Sequence, residues 1–215
     1  MFKAIIFDLD GTLLNTLEDI ADSMNEALIK FGYPSVPLEK YKLFVGDGVD
    51  TFIKRVTGKP QIDKIEMEEI KKVYKEIYNR RWNLKTKPYP NILKTLQTLN
   101  EKGIKMNVLS NKPDDFTKLC VRHYFPDIKF EYIIGERKGF PIKPDPFYAL
   151  EIASKLGISP EKFVYFGDTN TDMQTALNAS MYPVGVLWGF RDEEELKSNG
   201  AKELISDPVE MLKFF

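Results

Sequence analysis

The chain has 215 residues, with 31 Lys plus Arg against 32 Asp plus Glu and a formal charge of −1, so it has no global basic field to hold a nucleic-acid backbone. A hydrophobic share of 43%, with 15 Phe, 10 Tyr and 2 Trp, is enough for a sizeable core and excludes intrinsic disorder. One Cys and one His exclude an internal disulfide and a zinc site built on several imidazoles or thiolates, so a bound metal would be a hard cation such as Mg²⁺ on carboxylate oxygens.

The N-terminal segment KAIIFDLD (3–10) is a short apolar run ended by acids, the pattern of a buried parallel strand emptying into a loop. Residues 16–85 then carry no strand pattern. Leu17, Ile20, Ala21, Met24, Leu28 and Phe31 repeat at helical spacing behind Thr16, with Asp19 as a capping partner and Gly32 as terminator. A second helix is expected around 48–57 and a longer one around 63–84, whose charged face offers Glu68 with Lys72 and Glu76 with Arg80 at four-residue spacing. The segment KTKPYPN (85–91) returns the chain to alternation. Further strands are expected at 105–111, 131–136, 163–168 and 182–188. Helical stripes lie between them: Ile92, Leu93, Leu96 and Leu99; Phe116, Leu119, Cys120 and His123; Phe147, Leu150, Ala153 and Leu156 behind Asp145 and Pro146; Met173, Ala176, Leu177 and Ser180. A last short helix is expected to start at Asp207 and Pro208.

This order predicts an α/β fold: a doubly wound, Rossmann-like, mainly parallel sheet formed by 1–15 and 86–215, with an all-helical cap domain inserted at 16–85. No apolar run approaches the roughly 18 residues of a membrane span. The first apolar run is too short for a signal peptide. The expectation is a cytoplasmic monomer or homodimer with neither a membrane nor a nucleic-acid partner.

Asp8 and Asp10 end the first strand on one side of it, about 6.6 Å apart if the strand stays extended. Burying two like charges needs compensation, and a divalent cation supplies it. The run DLDGTLLNT (8–16) resembles the first motif of the haloacid dehalogenase superfamily. Ser110 in VLSNK, Lys143 in IKPDP and GDTNTD (167–172) match the remaining motifs in order, and the helical insert matches the cap of such enzymes.

The resemblance implies a Mg²⁺-dependent phosphomonoester hydrolase for a small phosphorylated metabolite, with phosphoglycolate as the first candidate. Asp8 would be the nucleophile that takes the phosphoryl group. Asp10 would protonate the leaving group and then activate water. Mg²⁺ would sit on the side chains of Asp8 and Asp168 and the carbonyl of Asp10. Asp172 would orient a metal-bound water or pair with Lys143. Ser110, the backbone N–H of Asn111 and the Lys143 ammonium would hold the phosphoryl oxygens. Lys112 is a rival cation, otherwise expected as a surface lysine before a helix. In FVGDGVD (44–50), Gly46 and Gly48 resemble the Gly-rich cap loop of the phosphoglycolate phosphatase branch and would help select the leaving group. A plain interhelical turn is the alternative. Arg55 is expected in a substrate contact or an exposed salt bridge, and Arg191 at the site mouth or capping the next helix. Ser180 stands where many relatives have Gly. Cys120 and His123 are expected to pack.

Pyrophosphate and sugar phosphates are further substrate candidates. A mutase of the β-phosphoglucomutase kind would need a histidine in the cap, and His123 lies outside it. A receiver switch would place its acid pair and phosphoacceptor on separate strands and lack the insert.

Overall fold

The N-terminal apolar run becomes strand β1 (Ala4–Phe7), buried on both faces at the centre of a sheet. The computed structural model describes all 215 residues, Met1–Phe215. A tight turn follows β1, with the amides of Leu13 and Leu14 donating to the Leu9 carbonyl. The chain then runs through β2 (Leu14–Asn15), which pairs with β3 (Lys87–Pro88) on the return. Internal contacts divide the chain at these crossings. One unit is Met1–Leu14 with Pro88–Phe215, the other Asn15–Lys87, against expected boundaries of 1–15 with 86–215, and 16–85.

The inserted unit contains α1 (Leu17–Lys30), α2 (Leu38–Phe44), α3 (Val49–Thr57) and α4 (Lys64–Arg81). Leu17, Ile20, Ala21, Met24 and Leu28 of α1 are buried, as the spacing predicts. Helix α2 was not predicted because Tyr41 alone is buried along it, so it carries no apolar stripe to read. Its position follows from Asn25 instead, whose amide oxygen accepts from Val36 N (2.8 Å) and Tyr41 Oη (2.8 Å). Contacts within α4 and to other helices stand in place of the expected pairs along it. Glu68 takes Lys71 (2.8 Å), which also meets Asp50 (2.5 Å), and Arg80 reaches Glu26 (3.8 Å).

Asp19 corrects the reading of the first cap. Thr16 receives no side-chain capping bond, and Asp19 is buried as the acceptor for the returning strand. Its carboxylate accepts from Lys85 N (2.9 Å), Thr86 N (2.8 Å) and Thr86 Oγ1 (2.8 Å). Two chain segments far apart in sequence are thereby fixed where the insert begins and ends, a pairing that no local pattern signals.

The other unit alternates through α5 (Ile92–Glu101), β4 (Lys105–Pro113), α6 (Asp114–Tyr124), β5 (Tyr132–Glu136), α7 (Phe147–Leu156), β6 (Phe163–Gly167), α8 (Asn170–Asn178), β7 (Tyr182–Val186), α9 (Glu193–Ser198) and β8 (Glu203–Ile205). Every neighbouring pair in the six-stranded sheet β5-β4-β1-β6-β7-β8 is parallel. The chain winds from β1 to one side through β4 and β5, then to the other through β6, β7 and β8, which puts the topological switch point at β1. Strand β8 was not predicted, being three residues long at the sheet edge.

Helix faces needed more correction than helix positions. In α6 the buried residues are Phe116, Thr117, Cys120 and Val121, so His123 and Leu119 turn outward rather than sharing the face of Cys120. In α7 the buried face is Tyr148, Ala149, Ile152 and Ala153, leaving Phe147 and Leu150 exposed. Asp145 does accept from Phe147 N (2.9 Å). The last segment, Pro208–Phe214, is 3₁₀ rather than α, and a capping box between Asp207 and Glu210 starts it. No helix is long and apolar enough to cross a membrane.

Ser180 keeps the left-handed backbone that glycine would adopt more easily, at φ 58°. Ser180→Gly is therefore expected to raise stability by about 1 kcal/mol in urea denaturation, and no gain would refute the strain. Asp19→Ala, which strands three donors, two of them buried, is expected to lower stability by about 3 kcal/mol. A loss below about 1 kcal/mol would show that water replaces the carboxylate.

Candidate active site

Side chains from four sheet strands meet beyond the carboxyl end of β1. Asp8 and Asp10 follow β1, Ser110, Asn111 and Lys112 lie at the carboxyl end of β4, Lys143 precedes α7, and Asp168 and Asp172 follow β6. All eight are buried. The oxygens of Asp8, Asp168 and Asp172 lie within 4.8 Å of one another.

Two ammonium groups stand among these acids. Lys143 Nζ donates to Asp172 Oδ1 at 2.7 Å and sits 2.9 Å from Asp8 Oδ1, an ion-pair contact without hydrogen-bond alignment. Lys112 Nζ donates to both oxygens of Asp10, at 3.0 and 3.2 Å. That pair overturns the reading of Lys112 as a surface lysine, because β4 continues to Pro113 and keeps Lys112 inside the sheet. Asp172 takes the second of its two expected roles, holding Lys143. Its other oxygen accepts from Thr169 N (3.1 Å) and Thr169 Oγ1 (2.7 Å), which closes the capping box of α8.

Backbone and glycine geometry seat each carboxylate. Asp168 accepts from Thr12 Oγ1 (2.8 Å) and Phe190 N (2.9 Å). Gly11, at φ +90°, passes so close that a Cβ there would lie 2.1 Å from Asp168 Oδ2, and a Cβ on Gly189 would lie 2.2 Å from Asp168 Cβ. Asn111 works through its side chain, donating to the Lys143 carbonyl (3.0 Å) and accepting from Lys143 N (2.9 Å). Ser110 Oγ accepts from Lys112 N at 3.3 Å.

Burial pushes the Asp8 carboxyl up from 3.8 to about 7; Lys143 opposes the rise, and Asp172 and Asp10 add to it. Asp168 is raised well above its ordinary value by burial and by Asp172 and Asp8, against the donors Phe190 and Thr12. Burial works against the Lys143 ammonium, yet Asp172 and Asp8 hold it well above the usual lysine range. Both raised carboxyls register a cluster of four carboxylates facing only two ammonium groups. The excess of hard oxygen donors is the environment a divalent cation such as Mg²⁺ fits. Asp168 accepts only from the neutral donors Thr12 and Phe190, so its charge is left for a cation, whereas the charge of Asp172 is already met by the Lys143 ammonium.

The remaining residues singled out in the sequence make local contacts. Gly46 and Gly48 turn the chain between α2 and α3 at φ 125° and 82°. Arg55 ties the same turn, pairing with Asp47 (2.6 Å) and donating to the Phe44 carbonyl (3.2 Å). Arg191 is buried and donates to Glu195 of α9 (3.1 Å). Thr12, Thr169 and the segment Gly189–Phe190 were missed as supports. The T-x-x-D spacing of Thr169 and Asp172 is a legible capping signal, whereas the contact of Gly189 and Phe190 with Asp168 depends on distant chain segments.

Known proteins resemble this chain in sequence and fold. A family model described as haloacid dehalogenase-like hydrolase matches residues 5–186. The chain is 30% identical to the phosphoglycolate phosphatase of Mannheimia succiniciproducens over 219 residues, covering 99% of this chain and 97% of that protein. Identity with the phosphoglycolate phosphatase of Pasteurella multocida is 32% over 196 residues, 88% of this chain and 87% of that one. The crystal structure of a predicted phosphoglycolate phosphatase from Haemophilus somnus matches with a TM-score of 0.91 at 27% identity, covering 99% and 97% of the two chains.

The raised Asp8 carboxyl has a consequence for stability. A carboxyl whose folded value lies above its unfolded one contributes most below about pH 4, and that contribution is lost as pH rises through about 7. In the presence of a chelator, Asp8→Asn is expected to flatten this fall in the thermal midpoint and to melt above wild type beyond about pH 7. Parallel pH profiles for the two proteins would sink the argument.

Proposed function

The chain belongs to the haloacid dehalogenase-like hydrolase family and is a phosphatase resembling the phosphoglycolate phosphatases, and from that premise we propose that it hydrolyses a small phosphomonoester through an aspartyl phosphate on Asp8. The observation that carries the reading is the buried Asp8 carboxylate, held 2.9 Å from the Lys143 ammonium where β1 ends. A carboxylate in that setting is close to a cation that can draw in a phosphoryl group, and it is shielded from bulk water.

An oxygen of Asp8 attacks phosphorus while the bond from phosphorus to the ester oxygen breaks. Asp10 delivers a proton to the departing alkoxide, a poor leaving group without one. A water molecule then attacks the phosphorus of the acyl phosphate, and Asp10 takes its proton back as the bond to Asp8 breaks. The products are alcohol and inorganic phosphate, and both aspartates return to their starting state. Lys143 faces the charge that develops on the phosphoryl oxygens, and Asp172 and Asn111 fix its head and its backbone. Ser110 Oγ and the backbone N–H of Asn111 supply neutral donors to the same oxygens. Asp8 and Asp168, with the Asp10 carbonyl, would hold Mg²⁺, which when bound supplies positive charge against the phosphoryl group.

Phosphoglycolate is the leading substrate, on the strength of relatives aligned over nearly the whole chain. Other sugar phosphates and pyrophosphate stand behind it. The test is phosphate release from a phosphometabolite panel by the purified protein with Mg²⁺. Phosphoglycolate should give the highest kcat/KM, and Asp8→Asn should lower release by about 10⁴-fold or more. Release from no panel member, or an Asp8→Asn variant as active as wild type, would defeat the proposal.

A further inference from the structure

We propose that Lys112 is a positioning residue for Asp10, fixing the carboxyl that exchanges a proton with the leaving group and with water. This rests on the phosphatase reading above. The two buried lysines divide the acids between them: Lys143 meets Asp8 and Asp172, and Lys112 meets Asp10 through both carboxylate oxygens, at 3.0 and 3.2 Å. Contact with both oxygens fixes the rotation of the carboxyl plane, which a single hydrogen bond would leave free.

Lys112 is itself held. Its side chain is 4% exposed, its N–H donates to Ser110 Oγ (3.3 Å), and its carbonyl accepts from Thr117 Oγ1 (3.0 Å) on α6. The β4–β5 register shifts between Leu109 and Pro113, and Gly135 of β5 packs against this segment so closely that a Cβ would lie 2.6 Å from the Lys112 carbonyl. The ammonium therefore projects from a pinned backbone onto Asp10, whose own backbone is held in the tight turn after β1 by its bridge to Leu14 and whose two carboxylate oxygens both accept from Lys112. A buried lysine is costly unless its charge is used, and Lys143 already serves the nucleophile.

The test is a double-mutant cycle on the full chain with Mg²⁺, combining Lys112→Met with Asp10→Asn and reading kcat and KM for phosphoglycolate and p-nitrophenyl phosphate. Lys112→Met should lower kcat on phosphoglycolate about 100-fold with KM little changed, the loss expected when a catalytic group is misplaced by about an ångström. The nitrophenolate burst should fall less, because that leaving group departs without a proton. In the Asp10→Asn background, Lys112→Met should add less than about a 2-fold loss. Lys112→Arg should recover part of the activity. Circular dichroism reports the fold of each variant, and Lys112→Gln enters the cycle if the Met variant is unfolded. Losses that multiply in the double mutant, or a KM that rises at constant kcat, would overturn the proposal and place Lys112 on the substrate instead. A wild-type protein inert on every phosphomonoester would remove the phosphatase reading, and this inference with it.

Discussion

Four carboxylates buried at one end of a parallel sheet are the constraint on which the rest of this structure depends. Like charges in a medium of low polarity repel, and each loses its hydration. Asp8 and Asp168 show the result in carboxyls raised above their ordinary range. The fold answers with fixed donors: two lysine ammonium groups, the hydroxyls of Thr12 and Thr169, and the amides of Thr169 and Phe190. Apart from Thr169, which caps the helix that carries Asp172, these donors reach their acids from distant parts of the chain, so the site exists only when the sheet is assembled.

The sheet topology explains why the donors converge. Strand β1 lies between β4 and β6, and all three run the same way. Their carboxyl ends therefore open on one edge, where the winding reverses and no crossover covers the strands. Asp8 and Asp10 follow the central strand, Ser110, Asn111 and Lys112 lie at the end of β4, and Asp168 and Asp172 follow β6. Glycine supplies the clearance: at Gly11 and Gly189 a single added carbon would collide with Asp168. Asn111 then links the end of β4 to the Lys143 backbone through two hydrogen bonds.

Much of the fold was legible because burial on both faces of a parallel strand leaves an uninterrupted apolar run, as in AIIF and FVYFG. Helices with a strong stripe, such as α1, were legible for the same reason. Weakly buried elements were not. Helix α2 buries only Tyr41, and β8 is a short edge strand. Stripe direction also failed in α6 and α7, where apolar residues at Leu119, Phe147 and Leu150 stay exposed and blur the period.

The sequence by itself determined the chemistry available: carboxylates at strand ends, one motif lysine, a serine, and too few histidines and thiols for any other metal site. Motif spacing sufficed, because each side chain is placed by its own strand end. Only the tertiary structure decided how the charges pair. It assigned Lys112 to Asp10, Lys143 to Asp8 and Asp172, and Asp19 to the returning strand at Lys85 and Thr86. Ion pairs and buried hydrogen bonds act over a few ångströms, between residues as much as 156 positions apart. No local pattern encodes those distances until the sheet has formed.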